Sequence, residues 1–487
     1  MNDSSKNKVA ADGPQVGRPD TDYPLKIPLQ EDLAKPLVPL IPESAAWKLL
    51  AGTYVFLVAL QICYLVWIGN GLGKYCDLHS EADALRSAAA YLKDGLTSHH
   101  GLPRLLYGGR FPNVGTIIDH IDTNGLVPLE FRRGFPESLS SPNNWVYTHY
   151  PPGPNLICAM EARWVGLDRI WVLRLFPLLT GLSAAAVFFL QLARVFGPDR
   201  GALIALGCVV LPMFNTYMPG LHYQGYSFAL LLLELTVLLR AWWSRAGFRG
   251  WHWPVLFLLG FLQGWLSFDQ FFVVSLTPIP LWLIRRAEGG HIDVRGLIWS
   301  VGLLFSGFMF AHILHFLQVA AELGGLHQAF EEFRRTAGER AGSTGSIVLP
   351  KLVVQLLGPI DNHLGYFGSL ALGSYYYIRE ILLMKGLQFG PFLFLALVAV
   401  LPLAVIRTSH SASGAFGCQA RLGRWLRWPG PGSLWPAVGA ALMVSLSWLF
   451  VMPAHVVGNR HITVRHLFVL YFCLLLVLVQ SIRSGRR

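Results

Sequence analysis

Apolar runs of near-membrane length recur along this chain, and they constrain its fold more than any other feature. The first extends from Ala46 to about Ile68. Several later runs approach the roughly 20 residues that an α-helix needs to cross a bilayer. Only 14% of the residues are charged, whereas a soluble domain carries roughly 25%. We therefore predict an all-α polytopic membrane protein. Further spans are predicted at residues 172–195, 199–217, 222–243, 253–268, 270–285, 297–318, 387–406, 434–452 and 462–482.

Polar segments divide the chain into a tail and a membrane domain. Residues 1–45 lack apolar periodicity, which predicts a flexible cytoplasmic tail before a transmembrane domain over 46–487. Arg residues cluster in the short turns on the side of this tail. The positive-inside rule then places the long loops 69–171 and 319–386 on the extracytoplasmic face. We expect an integral protein of a bacterial inner membrane, with its site facing the periplasm.

Charge and cysteine content limit the partners and cofactors. The net charge of +11 fits contact with anionic membrane lipids. The basic residues are scattered without a nucleic-acid motif, so no nucleic-acid partner is expected. The cysteines lie singly, which argues against zinc or iron–sulfur sites. Cys76 and Cys158 could pair in an oxidising compartment or remain buried thiols.

The first long loop begins with an amphipathic helix that carries two carboxylates. Helical spacing of apolar residues over 80–94 predicts this helix, which would lie along the membrane surface. Glu81 and Asp83 are two residues apart, so at most one should point into a site. Ser80 with Asp83 also matches a capping box, which gives Asp83 a structural alternative. The two carboxylates could bind a divalent ion, but that pattern alone is too common to predict a metal site or any other cofactor.

The other end of this loop combines aromatic, imidazole and proline residues. The segment Tyr147-Thr148-His149-Tyr150 leads into a double proline, which favours a rigid helix entry. Rings of this kind can also stack on a sugar and hydrogen-bond a phosphate. We predict that His149 and Tyr150 contact a donor phosphate and that Tyr147 lines the site.

A basic cluster before the last helix could complete a site on the same face. A basic cluster containing His455, Arg460, His461, Arg465 and His466 precedes the last helix. Charge so close to a membrane segment is usually functional. We therefore predict phosphate binding by Arg460, His461 and Arg465, with lipid-headgroup anchoring as the alternative.

Two polar residues at the ends of spans are weaker candidates. Asp269 lies at the tip between spans 253–268 and 270–285, where it could line the site or only cap the second helix. His222 begins another span and could line the site or anchor that span at the interface.

These motifs occur in an order that resembles the GT-C superfamily of membrane glycosyltransferases. After the acidic helix and the His149-Tyr150-Pro151-Pro152 segment comes a helix start, Arg174-Leu175-Phe176-Pro177, and then a helix end, Ala193-Arg194-Val195-Phe196-Gly197. Residues 76–245 are most similar to glycosyltransferase family 39, the protein O-mannosyltransferase and aminoarabinose-transferase-like group. The resemblance implies a bundle of about 10 to 12 membrane helices, each of spanning length. It also implies a large first extracytoplasmic loop that carries interfacial helices.

The resemblance also implies an activity. It is inverting transfer of a hexosyl or pentosyl group from a polyprenyl-phosphate donor to a hydroxyl on an envelope glycan, lipid or protein. The family pattern Asp-Glu-Ala-Arg-Tyr aligns with Ser80-Glu81-Ala82-Asp83-Ala84, so its second acid falls on Glu81. Ser80 replaces the first acid, which leaves both Glu81 and Asp83 as candidates for the general base.

Two rival functions make different sequence demands. A transporter or flippase of lipid-linked sugars should carry inverted repeats and charges in the middle of its spans. An O-antigen ligase or polymerase should have its largest outer loop late in the chain, whereas here it comes first.

Overall fold

The computed structural model of the protein describes most of one compact unit, Glu43–Arg487. The described residues are 44–71, 78–105, 145–148, 150–209, 211, 218–243, 247–289, 294–341, 366–383, 434–458 and 464–483. The tail and the span predicted at 387–406 lie outside them.

The regular elements of these ranges are helices apart from one short ribbon. They are α1 Ala45–Ile68, α2 Leu78–Asp94, β1 Arg104–Leu105, β2 Trp145–Val146, α3 Gly153–Val165, α4 Ile170–Leu173, α5 Leu175–Phe196, α6 Pro198–Val209, α7 Tyr223–Trp243, α8 His252–Leu266, α9 Phe271–Leu276, α10 Pro278–Ala287, α11 Val294–Leu323, α12 Leu326–Ala341, α13 Tyr366–Leu383, α14 Trp435–Val451, α15 Pro453–Gly458 and α16 Leu467–Arg483. Single 3₁₀ turns cover Ser98–Gly101 and Val464–His466.

Four helical stretches in the described residues are long and apolar enough to cross a membrane: α1, Ile170–Phe196, α7 and α11. Helix α14 and the Leu467–Val479 part of α16 are apolar but shorter. The chain is therefore a helical, membrane-associated protein. Helix α11 has 30 residues, which gives a length of about 45 Å. This exceeds the roughly 30 Å hydrocarbon core, so α11 extends beyond the apolar layer and can support structure there.

The segment predicted as a hairpin around Asp269 is a hairpin with one additional break. Helix α8 ends at Leu266 and α9 begins at Phe271, which leaves Asp269 in the turn between them, as expected. The second arm is divided at Thr277 into α9 and α10. Pro278 lacks an amide hydrogen and cannot continue the hydrogen bonds of α9, which explains the break.

Helices α8 and α11 pack at close range through glycines. A Cβ atom on Gly307 would lie 2.1 Å from the carbonyl oxygen of Phe257, and one on Gly260 would lie 2.2 Å from that of Leu304. Side chains at these positions would force the two backbones apart. Small residues that permit such approach are the usual means of packing helices in membranes.

Helix α2 begins two residues earlier than predicted, which changes the role of Ser80. Because the helix starts at Leu78, Ser80 lies within the first turn and not at the N-cap, so the capping-box interpretation is wrong. The helix ends at Asp94, and Gly95 adopts a positive φ of 97° as a C-terminal glycine should.

The apolar face of α2 is covered by protein. Ala84, Leu85 and Ala88 are fully buried and form a cluster with Cys158 and Ala159 of α3. This face therefore packs on α3, whereas we had expected it to meet the membrane surface. Cys158 is a buried free thiol, and Cys76 lies outside the described residues.

The ribbon β1–β2 links the first loop to the α11–α12 hairpin. The strands are antiparallel, with Arg104 opposite Val146. Val146 packs in a cluster with residues of α11 and α12, including Val319 and Ala329. Side chains alternate along an extended chain, so Thr148 shares the hairpin side with Val146, and Tyr147 faces the opposite way.

Candidate functional site

A buried ion pair forms at the α8–α9 turn. Arg465 Nη2 lies 2.7 and 2.6 Å from the two carboxylate oxygens of Asp269. The hydroxyl of Ser267 donates to Asp269 Oδ1 at 2.5 Å. The amide oxygen of Gln270, in the orientation that satisfies its neighbours, accepts from Arg465 Nη2 and His466 Nε2, each at 3.0 Å. The turn and the residues just before α16 thus form one polar network.

The charges of this network are set by burial and by mutual contact. Burial alone would raise the pKa of Asp269, but its ion pair with Arg465 and its hydrogen bond from Ser267 outweigh burial and hold that pKa below its ordinary value. Asp269 is therefore ionised at neutral pH. Burial lowers the pKa of His466 to about 3, although Asp269 acts to raise it. His466 is therefore a neutral imidazole beside a full ion pair.

Aromatic rings line one side of the ion pair. We call Tyr147, Tyr150, His222, Tyr223 and Phe268 the aromatic wall. The ring of Tyr150 is central, with centroids 4.7 Å from Phe268, 5.8 Å from Tyr147, 6.0 Å from Tyr223 and 6.3 Å from His222. The guanidinium of Arg465 lies 4.5 Å from the Tyr223 ring centroid. A cation over a ring face at this distance is attracted to it, so the wall and the charged network are contiguous.

A histidine from the other end of the chain holds the central ring of the wall. The Tyr150 hydroxyl lies 2.9 Å from His455 Nε2, and the indole of Trp448 donates to His455 Nδ1 at 3.0 Å. Because Nδ1 accepts, a neutral His455 carries its hydrogen on Nε2 and donates it to Tyr150.

The segment that precedes α3 is also fixed to the α11–α12 hairpin, through Thr148 on the side away from the aromatic wall. The Thr148 hydroxyl donates to Glu332 Oε1 at 2.8 Å, and the Thr148 carbonyl oxygen lies 2.9 Å from His315 Nε2. The Tyr147 amide donates to the Pro103 carbonyl at 2.7 Å. These contacts hold in place the segment that carries Tyr147 and Tyr150, and they give His315 a protein partner.

Glu81 belongs to a separate buried ion pair. Arg174 Nε and Nη2 donate to its two oxygens at 3.0 and 2.9 Å. The same guanidinium donates to the carbonyl oxygens of Gly69 and Gly71 at 3.2 and 2.7 Å. Both side chains are completely buried. The pair therefore joins α2 to the end of α1 and the start of α5.

The two ion pairs lie toward opposite ends of α3. Arg174 follows the C-terminal end of α3, whereas Tyr150 precedes its N-terminus. The ribbon that follows α2 pairs with the strand before α3, so α2 and α3 run antiparallel. Helix α3 has 13 residues, which corresponds to about 20 Å.

Asp83 is the more accessible of the two α2 acids. Its side chain is 29% exposed, and Arg86 Nη1 lies 3.5 Å from its Oδ1. A contact of this length is weak. Of the two candidate bases, Asp83 is thus the one that a substrate could approach.

The remaining predicted positions lie outside the described residues, namely His149, Arg460 and His461. In the described parts of the chain no group of three or more His, Cys, Asp or Glu residues could hold a metal ion. Sequence reasoning missed Arg174 as the partner of Glu81, Phe268 as a wall residue, and Glu332 as an anchor. Phe268 could have been suspected from its place beside Asp269 in a polar interruption. The other two offered no local signal.

Comparison of the chain with protein-family models, with curated proteins and with solved structures finds no match in any of the three.

Proposed function

We propose that the chain is an inverting glycosyltransferase of the GT-C type, which transfers a sugar from a polyprenyl-phosphate donor to an acceptor hydroxyl. The observation that supports this most is the buried Arg465–Asp269 pair beside the aromatic wall. A guanidinium suits a phosphate, and flat rings suit the faces of a sugar. Both are needed for a donor that carries its sugar on phosphate.

In the proposed reaction the acceptor oxygen attacks the anomeric carbon as the carbon–oxygen bond to phosphate breaks. The bonding electrons leave with polyprenyl phosphate, whose added negative charge Arg465 stabilises. The acceptor proton passes to a carboxylate. Asp83 is the candidate for this role, since both oxygens of Glu81 are engaged by Arg174. Asp83 lies toward the end of α3 away from Arg465, so this assignment requires α2 and Arg465 to move closer together when the substrates bind. A general base of this kind contributes roughly 10²- to 10⁴-fold in rate.

The proposed setting is a bacterial inner membrane with the site on the periplasmic side. Support comes from the basic turns near Arg194, Arg245 and Arg286, which the positive-inside rule assigns to the cytoplasm. The acceptor would be an envelope glycan, a lipid or a protein that reaches the outer leaflet.

The test is transfer of labelled sugar by purified protein from a panel of polyprenyl-phosphate sugars to envelope glycans and lipids. We expect transfer by the wild type and a loss of about 100-fold or more in Asp83→Asn, from the removal of a general base. Glu331→Gln is the matched control, because Glu331 is exposed and pairs with Arg334 on α12. Full activity in Asp83→Asn would contradict the assigned base. Absence of both transfer and donor binding in the wild type would contradict the function.

One observation favours the rival transporter function. Glu234 lies in the middle of α7 and is completely buried. In the described part of the chain neither of its carboxylate oxygens has a hydrogen-bond partner. A mid-span acid is typical of transport pathways. If the chain moves lipid-linked sugars, Glu234→Gln should abolish their movement in proteoliposomes. If it is a transferase, that variant should retain its transfer rate.

A further inference from the structure

We propose that Asp269 competes with the donor phosphate for Arg465, so that donor binding exchanges one anionic partner of the guanidinium for another. The inference rests on the proposed function, because it takes Arg465 as the phosphate ligand. The competition would make the binding of anions to Arg465 selective.

The contact between Arg465 and Asp269 is the geometric basis for competition between Asp269 and a donor phosphate. Arg465 Nη2 reaches both carboxylate oxygens of Asp269 within 2.7 Å. A carboxylate and a phosphate present paired oxygens to a guanidinium in similar ways. The carboxylate of Asp269 therefore occupies the kind of position that a phosphate oxygen pair would take.

Electrostatics makes the competition strong. Arg465 and Asp269 are 2% and 0% exposed, and the neighbouring His466 is neutral. The surroundings of Arg465 therefore have little net charge to attract an anion. A phosphate that entered beside an ionised Asp269 would place two negative charges together in a region of low dielectric, which is costly. Binding thus requires the Arg465–Asp269 contact to open.

The surroundings provide neutral partners for both sides of the exchange. The Tyr223 hydroxyl lies 3.5 Å from Asp269 Oδ2 and is close enough to tighten onto it. Gln270 can remain bound to Arg465 and His466 through its amide oxygen. Once separated from Arg465, the buried carboxyl of Asp269 has a higher pKa, because burial then acts without its main opposing charge. Proton uptake should therefore accompany donor binding.

This exchange favours ligands that gain binding energy elsewhere. A small anion has only its charge with which to displace Asp269. A polyprenyl-phosphate sugar adds its apolar chain and its sugar ring, and the latter can stack on the aromatic wall. The competition thus selects lipid-linked phosphodiesters over free phosphate.

The closing experiment measures the affinity of detergent-solubilised protein for a polyprenyl phosphodiester sugar. We expect Asp269→Asn to bind it about tenfold more tightly than the wild type, while Glu331→Gln, which removes the same charge elsewhere, leaves the affinity unchanged. The melting temperatures of both variants are measured alongside to establish that each is folded. Equal or weaker binding by a folded Asp269→Asn would overturn the competition. Failure of the wild type to bind any such donor would instead overturn the proposed function.

A second measurement applies if Asp269→Asn does not fold. The phosphodiester does not titrate between pH 8 and pH 5, so a change in its affinity over that range belongs to the protein. The titratable groups that face Asp269 are His455, His466 and Tyr223, beside the permanently charged Arg465. We expect wild-type affinity to rise at least fivefold on acidification, and the double variant His455→Gln/His466→Gln to keep that rise. Loss of the rise in the double variant would overturn the proposal.

Discussion

At the scale of residues, Glu81 and Arg174 form a completely buried ion pair that ties α2 to the end of α1. Removal of one partner from such a pair leaves an uncompensated buried charge and costs about 3–5 kcal/mol. We expect Glu81→Gln to lower the melting temperature in detergent markedly. The double variant Glu81→Leu/Arg174→Met should recover most of that loss, because a buried ion pair can be replaced by apolar residues of similar volume.

The same experiment distinguishes a structural Glu81 from a catalytic one. Asp83→Asn is the control for melting temperature, since the Asp83 side chain is partly exposed whereas Glu81 is completely buried. A Glu81→Gln protein with wild-type melting temperature and no transfer activity would mean that Glu81 is the base and that our assignment to Asp83 is wrong.

The raised pKa of Glu161 on α3 predicts that the stability of the protein depends on pH. It accepts a hydrogen bond from Tyr226, and burial raises the pKa of its carboxyl to about 7. Because this pKa is above the ordinary value near 4.5, the contribution to stability is complete below pH 4.5 and is lost as the pH rises through 7. Glu161→Gln should resemble the protonated form, so its melting temperature should increasingly exceed that of the wild type from pH 5 to pH 8. If the difference in melting temperature between Glu161→Gln and the wild type is constant from pH 5 to pH 8, the raised pKa of Glu161 is contradicted.

At the scale of elements, the close approach of α8 and α11 depends on Gly307. A methyl group at this position would meet the Phe257 carbonyl oxygen at 2.1 Å. We expect Gly307→Ala to destabilise the protein by about 1–3 kcal/mol, as overpacking does. Gly302→Ala on the same helix is the matched control, because nothing lies within 4 Å of the added atom. Thermal unfolding in detergent compares the two, and equal melting temperatures would contradict the close packing.

The helices themselves were largely predictable from local sequence. Hydrophobic runs gave α7 and α14 to within one residue at each end, and the polar interruption at Ser267-Phe268-Asp269-Gln270 gave the turn that carries Asp269. The break at Pro278 was missed because the run around it is apolar throughout. Apolar content reports burial or membrane contact, whereas the break depends on a missing backbone hydrogen bond.

The partners of the charged residues were not predictable in the same way. The sequence indicated Asp269 and Arg465 as candidates, but nothing local pairs residues that are 196 positions apart. Likewise, Glu81 was singled out from its place in a motif, whereas its bond to Arg174 depends on how α2 lies against α3. Helix periods determine which face is buried, and only the packed bundle determines what meets that face.

At the scale of the whole molecule, the orientation of the bundle is open to direct test. We expect Thr97→Cys, in the first loop, to react with a membrane-impermeant maleimide in intact cells. Gly250→Cys, beside Arg249, should react only after permeabilisation. Both positions are exposed, and the native cysteines would be replaced by alanine. The reverse pattern of labelling would contradict the positive-inside assignment.

The long separations within the site have a consequence for how the protein is made. The Tyr150 hydroxyl bonds a histidine 305 residues later in the chain. Ribosomes add about 5–20 residues per second, so Tyr150 emerges roughly 15 to 60 s before its partner. Asp269 likewise lacks Arg465 until 196 further residues have been added, and an unpaired carboxylate is costly in or near the bilayer. A nascent or truncated chain therefore carries a polar defect that the finished protein lacks.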